Sequence, residues 1–311
     1  MSANKNQPLV SIGVPAYNGE KYLEECLESI LAQTYGNWEC VISNNASTDR
    51  TPEIAEQFVR RDPRFRLVHT GKLLPITDNW NFCYANISQE SSYFKILPAD
   101  DWLFPAFISE MVGIMEIYPE VGQCSSYQLV DREIGSDGLD YYGGNRFNGK
   151  EILIKQLRRE MSITSSVTSV LYRTEILKNY SYYPDIFQAV SFHIDTYLSF
   201  ELLLQSDLGF VFQVLSYIRR HEDSVTSTVA KVQDTRIYFW ELALYRFRSL
   251  DPSLEAEYRK VRIRYAYFFL KNRLLSRNNV LQWHRDRLQR PITLKEYLSA
   301  AFRRLYFNSI P

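Results

Sequence analysis

Short apolar runs alternate with helix-spaced segments along residues 10–130, and the links between them are brief. Runs at 10–14, 38–43, 65–69, 93–97 and 123–130 have strand length. The segments 19–33, 52–61, 79–87 and 107–117 carry apolar residues at helical intervals, as in Tyr22, Leu23, Cys26, Leu27, Ile30 and Leu31. Such alternation predicts an α/β architecture: a doubly wound, mostly parallel sheet flanked by helices. Pro15 stops the first strand, and Thr51 is expected to cap the helix that opens at Pro52.

The rhythm breaks at 131–150, where Gly135, Gly138, Gly143, Gly144 and Gly149 predict a long loop or flap. A strand is expected over 162–172, a helix over 193–205 and two short strands over 208–219. From about residue 230 the pattern is helical to the end. The expected division is therefore a domain at 1–228 followed by a basic helical region at 229–311.

Composition excludes several classes. With 311 residues, 45% hydrophobic and 23% charged, the chain is neither disordered nor fibrous. Its net charge of zero is unevenly spread. Residues 231–311 hold 17 Lys and Arg against 7 Asp and Glu, a net of +10, so residues 1–230 carry −10. The start has no apolar signal segment, and no run reaches the roughly 18 apolar residues of a membrane span. Cys26, Cys40, Cys83 and Cys124 show no paired or metal-type spacing and read as buried thiols of a reducing compartment. Without a secretion signal, the sequons at Asn45 and Asn86 carry no weight. The expected location is the cytoplasm.

Chemistry gathers where strands end. The run 93–102 closes on Asp100 and Asp101, adjacent carboxylates at the C-terminal end of a short buried strand. Ligands of open α/β sheets bind at that end. A divalent cation shared with substrate phosphates would relieve the repulsion between the two carboxylates, and a plain helix start is the other reading. The first strand leads into Pro15-Ala-Tyr-Asn-Gly-Glu20 with no Gly-x-Gly-x-x-Gly cradle, so a phosphate-bearing ligand needs another source of positive charge. Tyr17 either stacks on a planar ligand or packs on the adjacent helix. The polar stretch 44–51 is either a capped turn or part of the same ligand edge.

Pro15-x-Tyr17-Asn18, the Asn-Asn-Ala-Ser-Thr-Asp-x-Thr stretch at 44–51, Asn79-Trp80-Asn81 and Ala99-Asp100-Asp101-Trp102 resemble the family 2 glycosyltransferases of the GT-A fold, over about residues 8–225. The resemblance implies a nucleotide-diphosphate sugar donor, transfer with inversion, a saccharide or lipid-linked acceptor and a role in polysaccharide or glycoconjugate assembly. It implies that Pro15, Ala16, Tyr17, Asn18, Glu20, Asn44, Asn45, Asp49, Asn79, Asp100 and Arg220 bind the nucleotide sugar. Tyr17 would stack on the base, and Asp49 would sit in the nucleotide pocket. Asp100, Asp101 and His221 would hold Mn²⁺ or Mg²⁺ on the diphosphate.

Two departures bear on these roles. Asn44 stands where the family often has aspartate; its amide still suits a uracil or thymine edge. Pro98 replaces the first aspartate of the Asp-x-Asp motif. Arg219, Arg220 and His221 resemble the late segment that meets the diphosphate. The resemblance implies Asp195 as the catalytic base, with Asp185 and Glu201 in reserve; an acidic residue opening a helix is the plainer reading of Asp195.

The run 258–275 interleaves aromatics with cations. It fits a membrane interface, a helix packed on an acidic surface, or a homodimer contact. No nucleic-acid motif accompanies the charge. A nucleotidyltransferase would carry a glycine-rich basic loop after the first strand, which is missing here. The remaining alternative is an inactive nucleotide-binding transferase fold acting as a binding or scaffold module.

Overall fold

The computed structural model describes residues 7–131, 133–134, 144–161, 166–178, 193–221, 235–273 and 278–307. They form two compact units: Met1–Leu153 with Met161–Arg220, and Ile154–Glu160 with His221–Pro311. The boundary expected at 228 lies outside the described residues.

The first unit follows the predicted alternation: β1 (Val10–Ala16), α1 (Leu23–Leu31), β2 (Trp38–Asn44), α2 (Thr51–Arg61), β3 (Phe65–His69), α3 (Ile76–Ala85), β4 (Tyr93–Ile96), β5 (Trp102–Leu103), α4 (Phe107–Ile117), β6 (Val121–Val130), β7 (Glu133–Ile134), β8 (Arg146–Phe147), α5 (Gly149–Leu157, whose last turn belongs to the second unit), β9 (Val170–Arg173), α6 (Thr174–Leu177), α7 (Ile194–Leu203) and β10 (Asp207–Ile218). The sheet order is β3-β2-β1-β4-β9-β6-β10-β5, with β7 on β6 and β8 on β10. The long pairings are parallel: β1 with β2 and β4, β2 with β3, and β6 with β10. Strand β9 runs antiparallel between β4 and β6, so the sheet is mixed.

Helix α1 shows how the pattern becomes a core. Leu23, Cys26, Leu27 and Ile30 recur at helical spacing, and all are buried against the sheet cluster that includes Val10, Ile12 and Val14. Helix α3 lies so close to β1 that a Cβ on Gly13 would stand 2.8 Å from Cys83 Cβ. All four cysteines are buried and free, as expected.

Several local expectations change. Thr51 is the first helical residue, not a cap; its hydroxyl accepts from Gly19 N at 2.8 Å. Of the strand expected over 162–172, the described residues from 166 on show strand only from Val170, in β9, and 162–165 lie outside the described residues. Val167–Ser169 is a 3₁₀ turn, capped by Ser166, whose Oγ accepts from Thr168 N. Instead of two short strands over 208–219 there is one, β10, kept continuous across register shifts opposite β6. Part of the 131–150 flap is sheet: β7 turns back on β6, and β8 pairs with β10. Residues 132 and 135–143 lie outside the described residues.

The second unit contains α8 (Thr235–Phe247), a 3₁₀ turn (Arg248–Leu250), α9 (Pro252–Arg273), α10 (Asn278–Arg287) and α11 (Leu294–Phe307). Tyr258, Tyr265 and Phe269 of α9 are buried, and so is Arg262, with no exposed surface. Its guanidinium donates to Glu241 Oε1 (3.1 Å), Glu296 Oε1 (3.1 Å), Arg290 O (2.8 Å) and Pro291 O (2.6 Å). The inward half of the 258–275 run is therefore the core of this unit and not an outer surface.

Candidate functional site

Register brings the sheet-end segments to one edge. Ala16 at the end of β1 pairs with Asn44 at the end of β2, and Gly13 pairs with Ile96 of β4. Tyr17, residues 44–51 and Asp100–Asp101 therefore leave the sheet on the same side.

The first two of these segments are laced together. Asn18, in the left-handed region at φ 49°, donates its N–H to Ser47 Oγ (3.1 Å) and accepts from Thr48 N (2.9 Å). Asp49 accepts from Glu20 N (3.0 Å) and Thr51 N (3.0 Å), and Glu20 accepts from Arg50 N (3.1 Å). These hydrogen bonds hold the Asp49 carboxyl below its ordinary pKa against the opposing pull of partial burial. Pro15 and Ala16 are strand residues in this ladder, while Tyr17 stands 50% exposed beside it.

The three asparagines look inward. Asn44 accepts from Ser47 N (3.1 Å) and donates to His69 Nδ1 (3.2 Å). Asn45 clasps Leu74 through both its N–H (2.8 Å) and its carbonyl (2.9 Å), fixing the loop before α3. Asn79 accepts from Ser43 Oγ at 2.6 Å. Asn45 and Asn79 are thus buried behind the strand ends, and His69 joins the group without having been read from sequence.

The acidic pair divides in two. Asp100 is partly exposed. Asp101 is buried, and its oxygens accept from Thr168 Oγ1 (2.5 Å) and Arg219 N (3.0 Å). Burial pushes the Asp101 carboxyl up, and Asp100 beside it adds to that rise. Under it lies Lys95, wholly buried, donating to Thr168 O (2.7 Å) and Val167 O (2.9 Å) and approaching Ile96 O and Val170 O (both 3.4 Å). Burial lowers the Lys95 pKa, and Asp101 opposes that.

The same 3₁₀ turn reaches Asp195. The carboxylate accepts from Thr196 N (2.7 Å) at the start of α7, just after His193 in the left-handed region, and the nearby Val167 N–H also favours its ionised form. Burial raises its pKa to about 6 despite these hydrogen bonds. Glu201 is buried within α7, and Asp185 lies outside the described residues.

Arg219 closes the edge from β10. Its guanidinium donates to Asp100 O (3.2 Å) and pairs with Glu25, and it sits 4.4 Å from the Tyr22 ring centre. Trp102 and Tyr217 stack at 3.6 Å alongside. Arg220 is exposed, with its N–H on Asp131 (3.1 Å). His221 is the first residue of the second unit. Sequence reasoning missed Lys95, Thr168 and His69; the only signal was a lysine inside an apolar strand.

No three His, Cys, Asp or Glu side chains converge as a metal cage among the described residues. One partly exposed carboxylate, Asp100, beside a buried one suits a small hard cation, which takes few protein ligands and completes its shell from phosphates and water.

The sequence profile of glycosyl transferase family 2 matches residues 11–181. Glycosyltransferase GlyG of Streptococcus pneumoniae serotype 4 is 48% identical over 154 residues, covering 48% of this chain and 48% of that protein. An uncharacterized glycosyltransferase of Haemophilus influenzae is 33% identical over 143 residues, covering 45% and 44%. The chain thus spans less than half the length of these two relatives. Among solved structures, S. aureus TarS 1-349 in complex with UDP-GlcNAc superposes with a TM-score of 0.61 at 16% identity, over 94% of this chain and 78% of that one. The mannosyltransferase PcManGT of Pyrobaculum calidifontis, in complex with GDP-Man and Mn²⁺, gives 0.56 at 16% identity, over 97% and 88%. At such identities the likeness is one of fold.

Proposed function

Since the chain belongs to glycosyl transferase family 2, we propose that it moves a sugar from a nucleoside diphosphate donor to an acceptor hydroxyl with inversion. The observation that carries this reading is the Val167–Ser169 turn, which hydrogen-bonds Asp101 through Thr168 and brings the Val167 N–H near enough to the Asp195 carboxylate to favour its ionised form. A general base and the acidic end of the sheet thereby share one rigid support, as an in-line displacement needs.

Asp195 takes the proton of the acceptor hydroxyl as that oxygen bonds to the anomeric carbon. The bond from that carbon to the diphosphate oxygen breaks on the opposite face. A carboxylate with a pKa near 6 is mostly ionised at neutral pH yet more basic than an exposed one. Tyr17 offers its exposed ring to the base. Asn44 keeps a second lone pair and a second N–H, after Ser47 and His69, for the edge of uracil or thymine. Arg220 faces the diphosphate. Asp100 is the protein ligand for Mn²⁺ or Mg²⁺, with Asp101 behind it as the group that orients the loop. When bound, the cation supplies Lewis acidity to the departing diphosphate. Assembly of a surface polysaccharide or glycoconjugate is the proposed setting.

The test is release of nucleoside diphosphate from a panel of UDP- and dTDP-sugars, with and without acceptor glycans. Turnover that falls at least a hundredfold in Asp195→Asn, with donor affinity unchanged, supports the assignment. Asp195→Asn turning over at the wild-type rate overturns it.

A further inference from the structure

A carboxamide at position 44 can read either class of pyrimidine. In one sense it accepts from N3–H and donates to a carbonyl of uracil or thymine. Turned over, it donates to N3 of cytosine and accepts from the amino group beside it. An ionised carboxylate only accepts and has no such choice. Whatever fixes the sense of the Asn44 amide therefore fixes the base.

Two neighbours fix it. A backbone N–H can only donate, so the atom facing Ser47 N at 3.1 Å is Oδ1. Nδ2 then faces His69 Nδ1 at 3.2 Å. An amide nitrogen is a donor only, so Nδ1 must accept, and the imidazole carries its proton on Nε2. Turning the amide over would set donor against donor at Ser47 and acceptor against acceptor at His69. Each mismatch on a buried group costs free energy that no solvent repays.

The backbone holds His69 in place for this contact. It ends β3 in register with Asn44 at the end of β2. The next residue, Thr70, donates its N–H to Asn44 O (3.2 Å) and its hydroxyl to Asn45 Oδ1 (3.2 Å). Asn44 is buried and His69 is exposed, so the ring can be exchanged without opening the core.

We propose that His69 is a specificity-determining positioning residue: by accepting from Asn44 it locks the amide in the sense that reads the N3–H edge of uracil or thymine and rejects cytosine. This rests on the nucleoside diphosphate reading of the same sheet edge.

The experiment is calorimetric titration of the full chain with UDP and with CDP, each with Mn²⁺, for the wild type, His69→Phe and His69→Asn, with the folds compared by circular dichroism. Phenylalanine keeps a planar ring and lacks the acceptor; asparagine sets an oxygen at the δ position that Nδ1 occupied. The wild type should prefer UDP by about tenfold or more, in the range of one well-made bidentate base contact. His69→Phe should lose most of that preference, and His69→Asn should keep it. A packing role would weaken both nucleotides alike and leave their ratio unmoved. Nitrogen-15 spectra of the imidazoles, taken without nucleotide, should show His69 protonated at Nε2 and bare at Nδ1. A wild type that binds the two nucleotides alike or prefers CDP overturns the proposal while the nucleotide site stands. So does His69→Phe with the wild-type ratio, His69→Asn losing as much as His69→Phe, or a neutral His69 protonated at Nδ1. A wild type that binds neither nucleotide overturns both readings.

Discussion

Thr168 Oγ1 donates to Asp101 Oδ2 at 2.5 Å, across 67 residues of sequence, and this bond ties the acidic loop after β4 to the 3₁₀ turn before β9. Arg219 N holds the other oxygen, so Asp101 is oriented from both sides. Removing the hydroxyl leaves a buried carboxylate short of a donor. Thr168→Val should cost about 1–3 kcal/mol in urea denaturation and weaken nucleotide binding, while Thr168→Ser stays near wild type. Equal loss in both variants would assign the effect to packing of the methyl group.

Lys95 is the counterweight to this arrangement. Its ammonium satisfies the carbonyls of Val167 and Thr168 and lies near Asp101. Lys95→Met strands those carbonyls and leaves Asp101 without its nearby cation. A loss of about 1–3 kcal/mol is expected, in the range for leaving a buried polar group unsatisfied. The measurement is equilibrium denaturation; a change below about 1 kcal/mol would mean the turn holds itself.

Asp195 should leave a signature in both rate and stability. The acid limb of kcat/KM should rise through about pH 6. The folded-state pKa is above the unfolded value of 3.8, so protonation favours the fold. Any stability this group contributes is present below pH about 4 and lost as pH climbs through about 6. Asp195→Asn should therefore be more stable than wild type at pH 7–8, by about 1–2 kcal/mol after discounting for partial exposure. The difference should vanish near pH 4. Thermal melts across that window check the sign; a variant less stable than wild type at pH 8 would contradict it.

Arg262 tests the second unit by itself. Arg262→Met leaves Glu241 buried and unpaired, an expected loss of about 3–5 kcal/mol. Adding Glu241→Gln should recover much of it, because the uncompensated charge is gone. A double variant as unstable as the single one would place the cost in lost packing around the guanidinium.

The α/β alternation was legible because periodicity is local: α4 falls on the expected 107–117, and β1 to β4 lie within a few residues of expectation. What escaped was set by distant partners. The stretch 166–169 is rich in β-branched and hydroxyl residues and reads as strand, yet Lys95, 73 residues earlier than Thr168, draws its carbonyls into a turn. Arg262 reads as a surface cation until Glu241 and Glu296, 21 and 34 residues away, enclose it. At the site, Tyr17 and Asp100 could be picked out because polar and aromatic groups at strand ends are unusual. Asn45 and Asn79 stood out in the same way, and what their sequence context did not show is that they are buried and hydrogen-bond Leu74 and Ser43.

The central claim, a nucleoside diphosphate sugar site at the ends of β1, β2 and β4, is tested most directly by thermal unfolding. The panel is UDP, dTDP, GDP and CMP, each with and without Mn²⁺, on the wild type and on Asp100→Ala. A ligand at about 100 times its Kd adds about 2.7 kcal/mol, a shift of several degrees. The account predicts that UDP or dTDP raises Tm, that Mn²⁺ strengthens the rise and that Asp100→Ala abolishes it. No shift with any nucleotide, or a shift that Asp100→Ala leaves intact, would contradict it.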